Sequence, residues 1–167
     1  FLVMDYSETF DYKTKLENAL YTNSLTGLFN RNKLISDLME DDNKISGLAS
    51  LDIRAFKEIN DFYGNMTGDY VLKTIAEIIS NTIGPELVAY KTASDTYSII
   101  NRGLNQIQFI NTIIELIKLV DNHLFVFRDQ EISAKIVGGI SLSPKNNNSI
   151  IDTSNESWLP VDQYIGG

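Results

Sequence analysis

Between Asp52 and Asp69 lie the side chains best suited to meet a nucleotide: a carboxylate at Asp52, an ammonium at Lys57, the pair Asn60-Asp61, and a second carboxylate at Asp69. Gly64 and Gly68 break the chain between them. A carboxylate can hold a divalent cation through oxygen. A lysine meets phosphate as a point charge. Asn and Asp side chains carry the donors and acceptors that read a base edge. By residue type and spacing alone, the same stretch also suits an ordinary strand end followed by an Asn-Asp and glycine turn.

Local patterning says which elements must hold these groups. Ile45 to Ile53 is a short apolar run bounded by turn signals, which predicts a buried strand ending near Asp52. Phe56 to Tyr63 predicts a short helix. Thr67 to Ile83 predicts a longer one, with Val71, Leu72, Ile75, Ala76 and Ile79 toward the core and Gly84-Pro85 as its stop. Leu87 to Lys91 and Tyr97 to Ile100 read as two strands with a tight turn between them.

Upstream, residues 1–22 predict a short amphipathic helix, with Leu16, Ala19 and Leu20 among Lys13, Lys15 and Glu17, that either packs on the domain or serves as a linker. Asn30 is the expected N-cap of a helix over Arg31 to Glu40, whose apolar face is Leu34, Ile35, Leu38 and Met39. Downstream, Asn105 to Asn122 predicts a helix with Ile107, Ile110, Ile113, Ile114, Ile117 and Val120 inward. Leu124 to Phe127 and Ile132 to Leu142 predict strands joined by a turn at Arg128-Asp129-Gln130, and Pro144 to Asn155 a loop. This order of elements predicts an α+β fold with a central, mainly antiparallel five-stranded sheet wrapped by helices. Its main domain spans 23–145, with a loop and tail over 146–167.

The 167 residues suffice for one domain, and 43% hydrophobic content is ordinary for a globular chain. A formal charge of −8 argues against broad nucleic-acid binding, which needs basic surface, but not against a local phosphate pocket. There is no cysteine, hence no disulfide framework and no thiolate metal site. No apolar run is long enough to span a bilayer. These features fit a cytoplasmic domain, one that a membrane-anchored protein can carry. A first residue other than methionine leads us to expect a piece of a longer protein. His123, the lone histidine, reads as a surface or capping residue.

Two stretches resemble motifs of the GGDEF domain, the diguanylate cyclase family. Asp52-Ile53-Arg54-Ala55-Phe56-Lys57-Glu58-Ile59-Asn60-Asp61, with Gly64, Gly68 and Asp69, resembles the family block D-(I/V/L)-D-x-F-K-x-I-N-D-x-x-G-H-x-x-G-D. Asn23-Ser24-Leu25-Thr26-Gly27-Leu28-Phe29-Asn30-Arg31 is similar to its D-x-L-T-G-L-x-N-R motif. The resemblance runs from Leu16 to Leu142 and implies a fold related to the palm of polymerases and adenylate cyclases. It implies GTP as ligand, with Asn60 and Asp69 recognising guanine, and Lys57 and Phe56 on the substrate. It also implies Mg2+ at Asp52, Ile53 and Asp95. In the family's reaction two domains face each other, and each ribose 3′-hydroxyl attacks the α-phosphate of the partner's GTP. The implied partners are therefore a second copy, an upstream sensor and a downstream EAL-type domain.

The signature that names the family is broken. Where it has Gly-Gly-Asp/Glu-Glu-Phe, this chain has Ala93-Ser94-Asp95-Thr96-Tyr97. Ala93 and Ser94 add Cβ atoms where the family turns on glycine, so a positive φ at either would carry strain. Thr96 removes a carboxylate that the family uses in catalysis, which leaves Asp95 and Thr96 at the catalytic positions. Arg54 stands where the family has a second acid, and is expected to pair with Asp52 or Asp95. Lys91 replaces an arginine, Asn65 a histidine, and Asn23 an aspartate. Gly84 and Leu87 occupy the positions of the R-x-x-D product-inhibition site, and the family's C-terminal A-D-x-A-L-Y helix has no counterpart in Ser149 to Gly167. Three functions follow in order: a degenerate module that binds GTP with little or no cyclase activity and regulates an adjoining domain; an active diguanylate cyclase with variant residues; and a dimerisation scaffold without nucleotide.

Overall fold

The computed structural model describes residues 6–40, 44–143 and 159–160. Its elements are α1 (Tyr6–Tyr21), β1 (Phe29–Asn30), α2 (Arg31–Glu40), β2 (Gly47–Ile53), α3 (Phe56–Tyr63), α4 (Asn65–Thr82), β3 (Leu87–Ala93), β4 (Thr96–Asn101), α5 (Gln106–Asn122), β5 (Phe125–Phe127), β6 (Gln130–Ile132), β7 (Ile136–Leu142) and β8 (Leu159–Pro160). The expected pattern of helices around a central sheet is present. The sheet order is β1-β3-β4-β2-β7-β8. It is mixed, because the short edge strand β1 runs parallel to β3 while every other pair is antiparallel.

Period-two alternation sends side chains to two different cores. Along β3, Leu87 and Ala89 join a large cluster with Val71, Ile75 and Ile79 of α4 and Phe109, Ile113 and Leu116 of α5. Val88 and Tyr90 point the other way, into a smaller cluster with Leu34 of α2, Ile45 and Ile100. Each fully buried aliphatic or aromatic side chain contributes about 1.5–3 kcal/mol of transfer free energy.

Two helices depart in part from the faces expected of them, although Leu34 in α2 and Ile113 and Val120 in α5 are buried as the spacing predicts. In α2, Leu34 and Asp37 are buried, whereas Ile35 and Met39 are exposed. Asp37 goes inward because it has partners there: it accepts a 2.5 Å hydrogen bond from the Tyr90 hydroxyl and pairs with Lys33 at 3.1 Å and Arg102 at 3.8 Å. In α5 the buried stripe is Phe109, Ile113, Leu116 and Val120. Ile107 is 72% exposed, and Ile110, Ile114 and Ile117 flank the core. The helix is apolar over so much of its circumference that periodicity alone does not choose the contact stripe.

The C-terminal part of the sheet also differs. β5 does not enter the main sheet but pairs with β6 as a separate hairpin. Its two turn residues, Arg128 and Asp129, have φ of 49° and 64°, the left-handed pair that a tight hairpin needs. Gln130, expected in the turn, already pairs with Phe127. Phe127 stacks on Tyr70 of α4, with ring centroids 5.1 Å apart. Leu159–Pro160 adds a two-residue edge to β7. The expected loop over Pro144 to Asn155 lies outside the described residues, as does most of the tail.

In α1, Phe10, Tyr12, Leu16 and Leu20 are all more than half exposed. The helix is moored at its end, where Asn30 Nδ2 donates to the Leu20 carbonyl at 2.9 Å. Asn30 also caps α2 as expected, its Oδ1 accepting from the Lys33 N–H at 3.1 Å.

Candidate functional site

Asn60 and Asp69 converge because of two glycines. Gly64 joins α3 to α4 at φ 94°, ψ 160°, a conformation that side-chain-bearing residues rarely adopt. One turn later, the Asn60 side chain lies across α4 at Gly68, where a Cβ would fall 1.7 Å from Asn60 Oδ1. Gly68 therefore makes the space that Asn60 fills. Asn60 is half-buried and Asp69 exposed. Neither side chain has a hydrogen-bond partner among the described residues, so both keep their bonding capacity for a ligand.

These groups form one wall of a cleft of about 630 Å³, together with Phe56, Asn65 and Leu72. Lys91, Thr92, Ala93 and Ser94 form the opposite wall. Asn23, Leu25 and the segment from Asn30 to Asn32 close the end. Asn23 is itself occupied, accepting from the Thr26 N–H at 2.9 Å and the Thr26 hydroxyl at 2.8 Å. The apolar walls at Leu25 and Leu72 suit a flat ring, and Asn60 and Asp69 offer its edge an amide and a carboxylate.

α3 starts without a capping side chain. Its N-cap, Ala55, sits at φ 53°, ψ 38°, which costs about 1 kcal/mol or more for a residue with a Cβ. The N–H groups of the first turn are thus open to an anion. Lys57 stands on that turn, exposed, and is not part of the cleft wall.

The hairpin between β3 and β4 answers the question raised by its missing glycines. Neither Ala93 nor Ser94 has a positive φ. The turn is accommodated by a register shift between Lys91 and Ala93, which leaves Thr92 as the extra residue. Asp52 and Thr96 are direct partners across β2 and β4. The Thr96 hydroxyl donates to Asp52 Oδ1 at 2.5 Å and lies 3.5 Å from Asp95 Oδ1. The Asp95 carbonyl in turn accepts the Ile53 N–H at 2.9 Å. Lys91 is buried: its Nζ donates to the Ala93 carbonyl and lies 5.4 Å from the centre of the Tyr97 ring. Burial pushes the Lys91 ammonium below its usual pKa, and the Asp95 charge partly restores it.

The family model for the diguanylate cyclase GGDEF domain matches residues 20–157. The chain belongs to the GGDEF family. Among curated relatives, it is 30% identical over 94 residues to the diguanylate cyclase DgcZ of Escherichia coli, covering 56% of this chain and 32% of that protein. It is 29% identical over 103 residues to an uncharacterised membrane protein of Staphylococcus saprophyticus, covering 58% and 29%. The chain thus spans about a third of the length of these relatives. The coiled coil and GGDEF domain of DgcB from Caulobacter crescentus, solved in complex with c-di-GMP, has the same fold: TM-score 0.76, 21% identity, 86% of this chain and 80% of that one.

Diguanylate cyclases use Mg2+, and the hairpin of this GGDEF domain can be tested for it. Asp52 and Asp95 are present, but the Thr96 hydroxyl already occupies Asp52 Oδ1. Among the described residues no three acidic, histidine or cysteine side chains gather into a metal site. Two carboxylates and the Ile53 carbonyl, with one carboxylate oxygen already hydrogen-bonded, are fewer donors than a pair of catalytic ions takes. The expected pairing of Arg54 with Asp52 or Asp95 is also not found. Arg54 is exposed and makes no ion pair among the described residues, while Thr96, the direct cross-strand neighbour of Asp52, is the residue that bonds it. Sequence reasoning passed over Leu25, Arg31 and Leu72 as site residues. The first two lie inside the motif from Asn23 to Arg31, and Leu72 is one turn beyond Asp69.

Proposed function

We propose that this GGDEF domain binds a guanine nucleotide, GTP in the first instance, makes little or no cyclic di-GMP, and reports occupancy to an adjoining domain. The observation that carries this reading is the contrast between the two ends of the site. Asn60 and Asp69 face the cleft with their hydrogen-bonding groups free, while the signature hairpin presents a hydroxyl where the family's reaction needs a carboxylate. Asn60 and Asp69 read guanine, Phe56 and Leu72 hold the ring, and Lys57 with the first turn of α3 meets phosphate. The domain is cytoplasmic. Its exposed apolar residues on α1 support a helical link to an upstream sensor and pairing with a second copy. An EAL-type domain is the downstream partner.

Incubation of the purified chain with GTP and Mg2+, with binding and product both measured, tests this. Saturable binding without turnover is expected, weakened by Asp69→Ala. Efficient formation of cyclic di-GMP would establish the active-cyclase alternative instead, and absence of any binding the scaffold.

A further inference from the structure

We infer that the cleft takes its guanine nucleotide without a divalent cation; this deepens, and rests on, the nucleotide-binding reading above. Sheet register sets which charges meet in the hairpin. Residues directly opposite on antiparallel strands bring their Cβ atoms to about 5 Å, and like charges there repel. Asp52 and residue 96 are such a pair. A carboxylate at 96 would face Asp52 head on, and a cation between them would be needed to relieve the repulsion. Thr96 removes that need: its hydroxyl gives Asp52 a 2.5 Å hydrogen bond. That oxygen of Asp52 is therefore satisfied by the chain itself.

The chain also supplies its own positive charge. Arg31 and Lys91 stand in the cleft wall. Arg54 precedes α3 in the turn and Lys57 occupies its first turn. Arg31, Arg54 and Lys57 form no ion pair among the described residues, so each is available to phosphate. The Lys91 ammonium, buried beside the Ala93 carbonyl, gains by meeting an anion that enters the cleft. Compensation of the phosphate charge thus shifts from a metal ion to guanidinium, ammonium and the N–H groups at the start of α3.

The test is calorimetric titration of the intact chain with GTP, once in EDTA and once with Mg2+. The affinities are expected to agree within about threefold. A Thr96→Glu variant, which restores the facing carboxylate, should bind about tenfold or more tightly with Mg2+ than in EDTA. Should that variant not fold, Mn2+ titration of the wild-type chain by electron paramagnetic resonance replaces it, with Mn2+ bound no more tightly by protein plus GTP than by GTP alone. Wild-type binding that appears only with Mg2+, or Mn2+ held markedly more tightly in the ternary mixture, overturns the inference and leaves the nucleotide reading standing. Absence of GTP binding in both buffers overturns both.

Discussion

The Tyr97 hydroxyl donates a 2.6 Å hydrogen bond to the backbone carbonyl of Leu72. One bond ties the signature hairpin to α4, the helix that carries Asp69, and it does so from the position where the family has phenylalanine. Tyr97 is fully buried, so its hydroxyl needs this acceptor. Burial also raises its pKa well above the ordinary tyrosine value. Tyr97→Phe should cost about 1 kcal/mol, read as a lower urea midpoint at unchanged slope. A stability equal to wild type would show that the bond contributes nothing net.

Gly68→Ala probes the packing of Asn60. The added methyl would fall on Asn60 Oδ1 and press toward the Phe56 ring. The Asn60 side chain must swing away, so guanine-nucleotide affinity should drop by about tenfold or more, with a stability loss of about 1–3 kcal/mol. Titration with GTP alongside thermal unfolding separates the two effects. Retained affinity would mean that Asn60 does not touch the base.

The buried Asp37 cluster holds α2 against the sheet from the face opposite the main core. Asp37→Ala deprives the Tyr90 hydroxyl of its acceptor and removes the partner of Lys33 and Arg102. The expected cost is about 3 kcal/mol, measurable by urea unfolding. A change under 1 kcal/mol, on the order of an exposed pair, would show that the cluster is solvated rather than structural.

Lys91 gives stability a pH dependence of known sign. Its folded pKa lies below its unfolded one, because burial disfavours the charged form. Between those two values the unfolded chain holds more protons, so stability rises with pH across that window. The penalty is complete below the folded value and absent above the ordinary lysine value of about 10.4. Wild type should therefore gain on Lys91→Met as pH rises toward the ordinary lysine value. Tyr90 and Tyr97, both raised by burial, oppose folding only above about 10, so the comparison is read below that value. A pH-independent difference in urea midpoint would rule this out.

Several features were legible in the residues. Val71, Leu72, Ile75, Ala76 and Ile79 were placed in the core by helical spacing alone, and the structure buries all five. Asn30 announced the start of α2, whereas Asn105, expected as the first residue of α5, is its cap, joined to Gln108 by a reciprocal pair of bonds. Turn chemistry and periodicity are local, written over a few consecutive residues, so they survive without the fold. The resemblance to GGDEF motifs, which the family match bears out, likewise rests on two short runs of sequence.

Other features waited for three dimensions. That Phe109 and Leu116 rather than Ile107 face the sheet was decided by what lay opposite, as was the burial of Asp37 against Tyr90. β5 left the main sheet because its strand partner was its own hairpin mate. Above all, the sequence marks Asp52 and Thr96 as 44 positions apart, with Arg54 much nearer to hand. Only the pairing of β2 with β4 sets the hydroxyl beside the carboxylate. Register is a long-range choice made by the whole sheet at once, and no stretch of sequence carries it alone.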